Sequence, residues 1–338
     1  MIAEPILCVE NARMLYPAPG SGSLLRPRSR RYVHALDGVD LDLGKGEILG
    51  LVGESGSGKT TLAMTVMGLN EPTSGRILFN GRDLYEMARG RDRLLLRRQV
   101  QMIFQDPYES LNPRQTIFDI LAEPLQIHKL AANRDELRAK VATALSEAGL
   151  KPPEEFFNRY PEALSGGQRQ RVVIASALIL NPSLLVADEP VSMLDVSMRA
   201  EILTLLRDLR DRRGLSILYI THDLATAGFF ADRIAVMYLG RIVEIGPTER
   251  ILRNPQHPYT RALLSVIPVP NPRRRRKREV LQGEIPNAAD LPRGCRFHPR
   301  CPDAIPRCRE IDPQLLPVGD HQRAACILVG DEQHAPER

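Results

Sequence analysis

The stretch Gly53-Glu54-Ser55-Gly56-Ser57-Gly58-Lys59-Thr60 decides the fold. The apolar run Ile48-Leu49-Gly50-Leu51-Val52 before it reads as a buried strand, and Thr60 to Leu69 after it reads as a helix. Strand, glycine loop and helix together form the phosphate-loop pattern G-x-x-x-x-G-K-[ST]. A triphosphate crowds negative charge onto closely spaced oxygens, so it needs many donors at short range. Gly53, Gly56 and Gly58 lack a β-carbon, which lets the backbone curl and point N–H groups inward. The helix adds its positive N-terminus. Lys59 supplies a point charge and Thr60 a hydroxyl for Mg²⁺, while Glu54, Ser55, Ser57 and Thr61 complete the segment around the nucleotide. The bland alternative, a chance match in a glycine-rich turn, fits poorly with a position between a buried strand and a helix.

Working outward, Leu184 to Ala187 is a second buried strand, Ile217 to Ile220 a third, and Val196 to Arg213 a helix between them. Strands alternating with helices imply an α/β fold with a mostly parallel sheet covered on both faces. Ile234 to Met237 and Ile242 to Ile245 suggest a strand pair turning at Gly240. From Pro107 to about Leu180 the signal is mostly helical, including Arg134 to Ala148 and Gln168 to Leu180, and reads as a helical insertion. Asn181-Pro182 ends the last of these helices. Pro268 to Arg278 reads as a linker, so the expected domains are 1–267 and 268–338.

Asp188-Glu189 closes the second strand, which puts both carboxylates at the sheet's C-terminal edge, where α/β folds bind ligands. Asp188 is expected to reach Mg²⁺ through water and Glu189 to polarise the attacking water as general base. A solvated acidic pair opening a loop is the bland reading; the phosphate loop tips the balance. Ser165-Gly166-Gly167-Gln168 opens a helix and is either an ordinary N-cap or a second anion site.

Bulk properties set limits. The chain has 338 residues, 43% hydrophobic, enough for one large domain and a smaller one. Aromatics make up 5% and tryptophan is absent, which argues against base-stacking platforms and a nucleic-acid partner. The net charge of +5 comes from one run, Arg273-Arg274-Arg275-Arg276-Lys277-Arg278, read as a solvated linker with anionic lipid heads as the functional alternative. The first ten residues do not look like a signal peptide. The longest apolar stretch, Val172 to Leu180 with Ser176 inside it, falls far short of the ~20 residues that span a bilayer. A cytoplasmic protein is expected, serving a membrane only through partners. Of the five cysteines, Cys8 sits in a first strand, while Cys295, Cys301, Cys308 and Cys326 cluster at the end with five, six and seventeen residues between them. Four thiolates suit an iron–sulfur cluster or zinc, and four reduced thiols are the third possibility. This tail is poor in apolar residues and is expected to need a staple.

The order phosphate loop, Leu164-Ser165-Gly166-Gly167-Gln168, Leu184-Leu185-Val186-Ala187-Asp188-Glu189 and then His222 resembles the ATPase subunit of ABC transporters. The resemblance implies a P-loop NTPase (RecA-like) cassette with a helical subdomain, hydrolysing ATP with Mg²⁺. It implies that Gln105 is the Q-loop residue linking Mg²⁺ to membrane subunits and that His222 senses the γ-phosphate. Tyr16 would stack on adenine, with Tyr32 as competitor. Ser165, Gly166, Gly167 and Gln168 would close over ATP held by a second ATPase. Ser192-Met193-Leu194-Asp195 resembles the D-loop of that interface, with Met193 in place of a small residue.

Gln105-Asp106-Pro107-Tyr108-Glu109-Ser110-Leu111-Asn112-Pro113-Arg114 is similar to the ATPases of oligopeptide and dipeptide importers, and the insertion Pro17 to Arg31 to their F-type subunit. Cys295-Arg296-Phe297-His298-Pro299-Arg300-Cys301-Pro302 resembles their C-terminal motif, which in some members goes with a [4Fe–4S] cluster; zinc is the alternative. The implied partners are a paralogous ATPase or a copy of this chain, two membrane-spanning permease subunits and, indirectly, an extracytoplasmic solute-binding protein. The implied location is the cytoplasmic face of the membrane. The competing classes are an ABC-type ATPase acting on ribosomes or DNA and a simple P-loop kinase. The first usually carries two cassettes or a long coiled coil, and the second leaves the signature unexplained.

Overall fold

The computed structural model describes residues 4–18, 31–267, 281 and 283–330. Most of the insertion at 17–31 and all of the basic run at 273–278 lie outside the described residues. The chain forms two compact units, each built from several segments. The described strands are β1 (Leu7–Pro17), β2 (Tyr32–Leu43), β3 (Ile48–Val52), β4 (Ser74–Phe79), β5 (Arg82–Asp83), β6 (Val100–Ile103), β7 (Leu184–Asp188), β8 (Ser216–Thr221), β9 (Arg233–Tyr238), β10 (Arg241–Pro247), β11 (Leu316–Gly319) and β12 (Gln322–Ala324).

The first unit holds Leu43–Glu47 and Phe79–Tyr219 with the N-terminal residues through Ile6. Its sheet runs in the order β8-β7-β6, and β6 and β7 pair in parallel, Ile103 opposite Ala187. All five residues of β7 are buried, as a strand covered on both faces requires. Every regular element between Pro107 and Leu178 is helical among the described residues. The caps explain the helix starts. Thr116 with Asp119 forms a capping box on Ile117–Ile127, and Asn133 caps Arg134–Glu147. Ser165 with Gln168 forms a second box on Gly166–Leu178, the helix that the Ser165 segment is expected to open. Val196–Arg213 runs between its Asp195 cap and Gly214, whose φ of 63° ends it in the left-handed conformation.

The second unit holds Leu7–Asp42, Ile48–Leu78 and the chain from Ile220 on. One sheet has the order β2-β1-β4 and another β11-β12-β10-β9-β3. β3 and β9 are parallel, while β9, β10, β12 and β11 are successively antiparallel. The β9–β10 connection is a two-residue turn, Leu239 and Gly240, both at positive φ. The helix after the phosphate loop is Lys59–Val66, shorter than expected, because Gly68 takes a φ of 64° just beyond it.

The tail joins this second unit through β12, which pairs with β10. Buried Glu244 of β10 accepts hydrogen bonds from the backbone N–H groups of Gln256 and His257 and from Gln322 Nε2 of β12, at 2.7, 3.0 and 2.7 Å. Phe297 is buried against Tyr238, Tyr259 and His257, with ring centroids 5.3, 5.4 and 5.6 Å away. Arg296 is buried, pairs with Asp37 and donates to the Leu239 carbonyl at 2.6 Å. Burial alone would raise the Asp37 pKa; the Arg296 hydrogen bond and the charges of Arg296, Arg241 and Arg13 outweigh it and hold the carboxyl below its ordinary value. The staple the tail needs is therefore present as an aromatic cluster and a set of buried polar pairs.

Candidate functional site

The phosphate loop is shaped by its neighbours. A β-carbon on Gly53 would lie 2.3 Å from the Met237 carbonyl oxygen, and one on Gly58 2.3 Å from that of Ala35. Gly58 also has a φ of 108°, a conformation closed to other residues without strain. It precedes the helix Lys59–Val66 without any side-chain cap on the first N–H groups. Lys59 is buried and its Nζ donates to the carbonyls of Gly53 and Glu54, at 2.7 and 2.9 Å. Ser55, Gly56 and Thr60 are exposed, Thr61 is half-buried and Ser57 is buried. Glu54 is held at both ends. Its N–H donates to Tyr259 Oη at 3.0 Å, and its carboxylate accepts two bonds from Arg300.

His222 follows β8 in the same unit and is exposed, with Asp223 capping the next helix, Leu224–Phe230. Tyr16 lies near the end of β1, more than a third exposed, and its hydroxyl accepts from Asn70 Nδ2 at 3.2 Å. Tyr32 begins β2 with the same exposure.

In the first unit, Asp188 ends β7 and is buried. Glu189 follows at a φ of 47°, rare for a residue with a side chain and a mark of a locally forced backbone. The Glu189 carbonyl accepts from Ser192 N and Ser192 Oγ, at 3.1 and 3.0 Å, which holds that turn. Its carboxylate accepts from Gln105 Nε2 at 3.2 Å. Two residues far apart in sequence, assigned separate parts in binding and hydrolysis, are thus brought together.

Ser165 Oγ accepts from Gln168 N at 3.3 Å, and Gln168 Oε1 from Ser165 N at 3.0 Å. Ser165 keeps its hydroxyl proton as a donor. Gly166 has open space where a β-carbon would stand, whereas one on Gly167 would meet Met198 Sδ at 2.5 Å. The two glycines therefore have different reasons: Gly167 admits Met198, and Gly166 leaves its surface bare. Met193 of the following turn is exposed.

The cysteine expectation gains no support from the geometry. Cys295, Cys301, Cys308 and Cys326 are near enough for each to act electrostatically on others of the set. Yet no group of three or more His, Cys, Asp or Glu among the described residues has a metal-holding arrangement. Burial raises the pKa of Cys295 and Cys326 and pushes that of Cys301 up to about 12. Phe297, Arg296, Arg300 and Gln322 tie the tail to the rest of its unit. Sequence reading missed Arg300 and Tyr259 as neighbours of the phosphate loop. The only signal was the arginine between two cysteines of the tail motif.

Among the described residues, no helix is long and apolar enough to cross a membrane. Residues 36–192 match the ABC transporter family, and residues 243–308 match the oligopeptide/dipeptide transporter C-terminal region. The dipeptide transport ATP-binding protein DppF of Haemophilus influenzae is 46% identical over 326 residues, covering 96% of this chain and 97% of that protein. The oligopeptide transport ATP-binding protein AppF of Bacillus subtilis is 47% identical, covering 96% and 98%. A putative peptide import ATP-binding protein of Brucella ovis is 50% identical, covering 86% and 91%. Among solved structures, an ATP-binding cassette, MJ0796, captured as a dimer after hydrolysis with ADP and phosphate, aligns with a TM-score of 0.62 at 28% identity, covering 72% of this chain and 98% of that one. With relatives matched over almost their whole length, the chain belongs to the ABC transporter ATPases of the oligopeptide/dipeptide branch.

Proposed function

We propose that the chain powers the import of oligopeptides or dipeptides by hydrolysing ATP beneath a membrane permease. The match of the tail to the oligopeptide/dipeptide C-terminal region carries this reading, because a cassette alone is common to every ABC system. The same match disfavours an ABC-type ATPase working on ribosomes or DNA.

In this reading Gly53, Ser55, Gly56, Ser57, Gly58 and Thr61 hold the phosphates by backbone and hydroxyl donors, and Lys59 neutralises the β- and γ-phosphates. Mg²⁺, when bound, screens the triphosphate and orients it; Thr60, Asp188 and Gln105 would hold it. Glu189 takes the proton of the attacking water, His222 contacts the γ-phosphate and Tyr16 lies against adenine. Ser165, Gly166, Gly167 and Gln168 serve the nucleotide of a second ATPase, a paralogue or a copy of this chain. Asp106 to Arg114, with exposed Tyr108, receives a helix from one of two permease subunits. A solute-binding protein on the far side delivers the peptide, and the chain sits peripherally on the cytoplasmic face.

Glu189→Gln tests the chemistry. In the assembled transporter it should keep ATP binding and lower turnover by ~10²–10⁴-fold, the usual cost of losing a general base. Hydrolysis at the parent rate would remove Glu189 from that role.

A further inference from the structure

Glu54 presents a problem for a loop that binds a polyanion. Its carboxylate is part of the phosphate loop itself, where an unpaired negative charge would repel the triphosphate. The tail resolves the conflict. Arg300 reaches across 246 positions of sequence and donates from Nη1 and Nη2 to the two carboxylate oxygens of Glu54, at 2.7 and 3.0 Å. Two parallel bonds of this kind fix direction as well as charge. The Arg300 side chain is 6% exposed and that of Glu54 28%, so water reaches the pair mainly from the Glu54 side. Its guanidinium carbon lies 5.9 Å from the centre of the Tyr238 ring, and Tyr238 and Tyr259 both pack on Phe297 of the tail. Tyr259 in turn accepts the Glu54 N–H. The Glu54 carbonyl is one of the two that hold Lys59 Nζ.

We propose that Arg300 is a positioning residue for ATP binding: the C-terminal tail neutralises Glu54 and fixes the phosphate loop in its binding conformation. This rests on the assignment of Gly53–Thr60 to the phosphates. The loop contains three glycines, whose freedom must be given up when nucleotide binds. Holding Glu54 from both sides removes part of that loss before the ligand arrives. Tail and loop are then one device, and damage to the tail reaches ATP affinity without touching a residue that meets ATP.

The test titrates the full-length chain with a fluorescent trinitrophenyl derivative of ATP in the presence of Mg²⁺. Arg300→Ala should weaken binding by between about tenfold and a hundredfold, the scale of a lost charge-assisted hydrogen-bond pair. Adding Glu54→Gln to Arg300→Ala should recover part of the affinity, because the uncompensated charge goes with it. A tail that merely supports the fold would show no such recovery. If Arg300→Ala does not fold, Arg300→Gln puts a neutral amide in the same place and should bind roughly tenfold more weakly. Affinity within twofold of the parent for the folded arginine variant, or a double variant no better than the single one, overturns the proposal. Lys59→Ala separates the two levels: if it binds like the parent, the phosphate-loop assignment falls. A Lys59→Ala that fails to bind beside an unaffected Arg300→Ala removes only the clamp.

Discussion

The phosphate loop and the signature both bring glycines to the start of a helix, yet they cap that helix in opposite ways. Before Lys59–Val66 stands Gly58, left-handed and with no side chain to cap the helix. Before Gly166–Leu178 stands Ser165, which with Gln168 closes a capping box and satisfies donors from within. In the proposed reading the first is an anion cradle within one chain. The second is a finished helix start whose use for an anion depends on what approaches it, as a site completed by another subunit's nucleotide would. Glycine content alone does not distinguish them; the caps do.

The comparison breaks first at Gly58. Gly58→Ala would place a methyl 2.3 Å from the Ala35 carbonyl at a φ of 108°. Strain and clash together should cost about 3 kcal/mol or more. Thermal unfolding should move down by roughly 4 °C or more for a chain of this size. A silent Gly58→Ala would mean that the loop is softer than its contacts imply.

Gly167 comes next. Its β-carbon would meet the Met198 sulfur at 2.5 Å, but methionine is flexible and alanine is the better helix former. Gly167→Ala should therefore destabilise by only about 1 kcal/mol. Combining it with Met198→Ala should cost less than the two changes summed, because they share one contact. Additive losses in thermal melts would show that Gly167 is needed for something other than Met198.

Local chemistry made much of the chain legible. Val196–Arg213 could be read to the residue because Asp195 and Gly214 mark both ends. The β9–β10 pair was visible from two apolar runs around Leu239-Gly240. The error came where a helix end outweighed the apolar pattern, at Gly68. The sheet β2-β1-β4 was harder because its strands alternate buried and exposed positions without a continuous apolar run. The tail was the least legible. Arg296 with Asp37 and Arg300 with Glu54 are pairs 259 and 246 positions apart, and a single sequence does not record which arginine meets which carboxylate. Cysteine spacing drew attention to a metal, while the contacts that tie the tail down are made by residues with no local pattern.

The smallest effect on stability is expected at Gly166, and it sharpens the comparison most. A β-carbon there meets nothing within 4 Å, and the position has ordinary helical freedom. Gly166→Ala should leave the melting curve where it is or raise it slightly, since alanine gains up to about 1 kcal/mol over glycine inside a helix and less at its first residue. If nothing in the chain's own fold needs a glycine here, the reason must lie outside the chain. The reading of a partner's phosphate against Ser165 and Gly166 supplies one, because a methyl would stand between the helix N-terminus and that phosphate. ATP turnover in the assembled transporter should then fall at least tenfold, while nucleotide binding by the isolated chain stays at the parent level. Loss of binding in the isolated chain would place Gly166 on its own nucleotide. Parent turnover would return the signature to an ordinary helix cap.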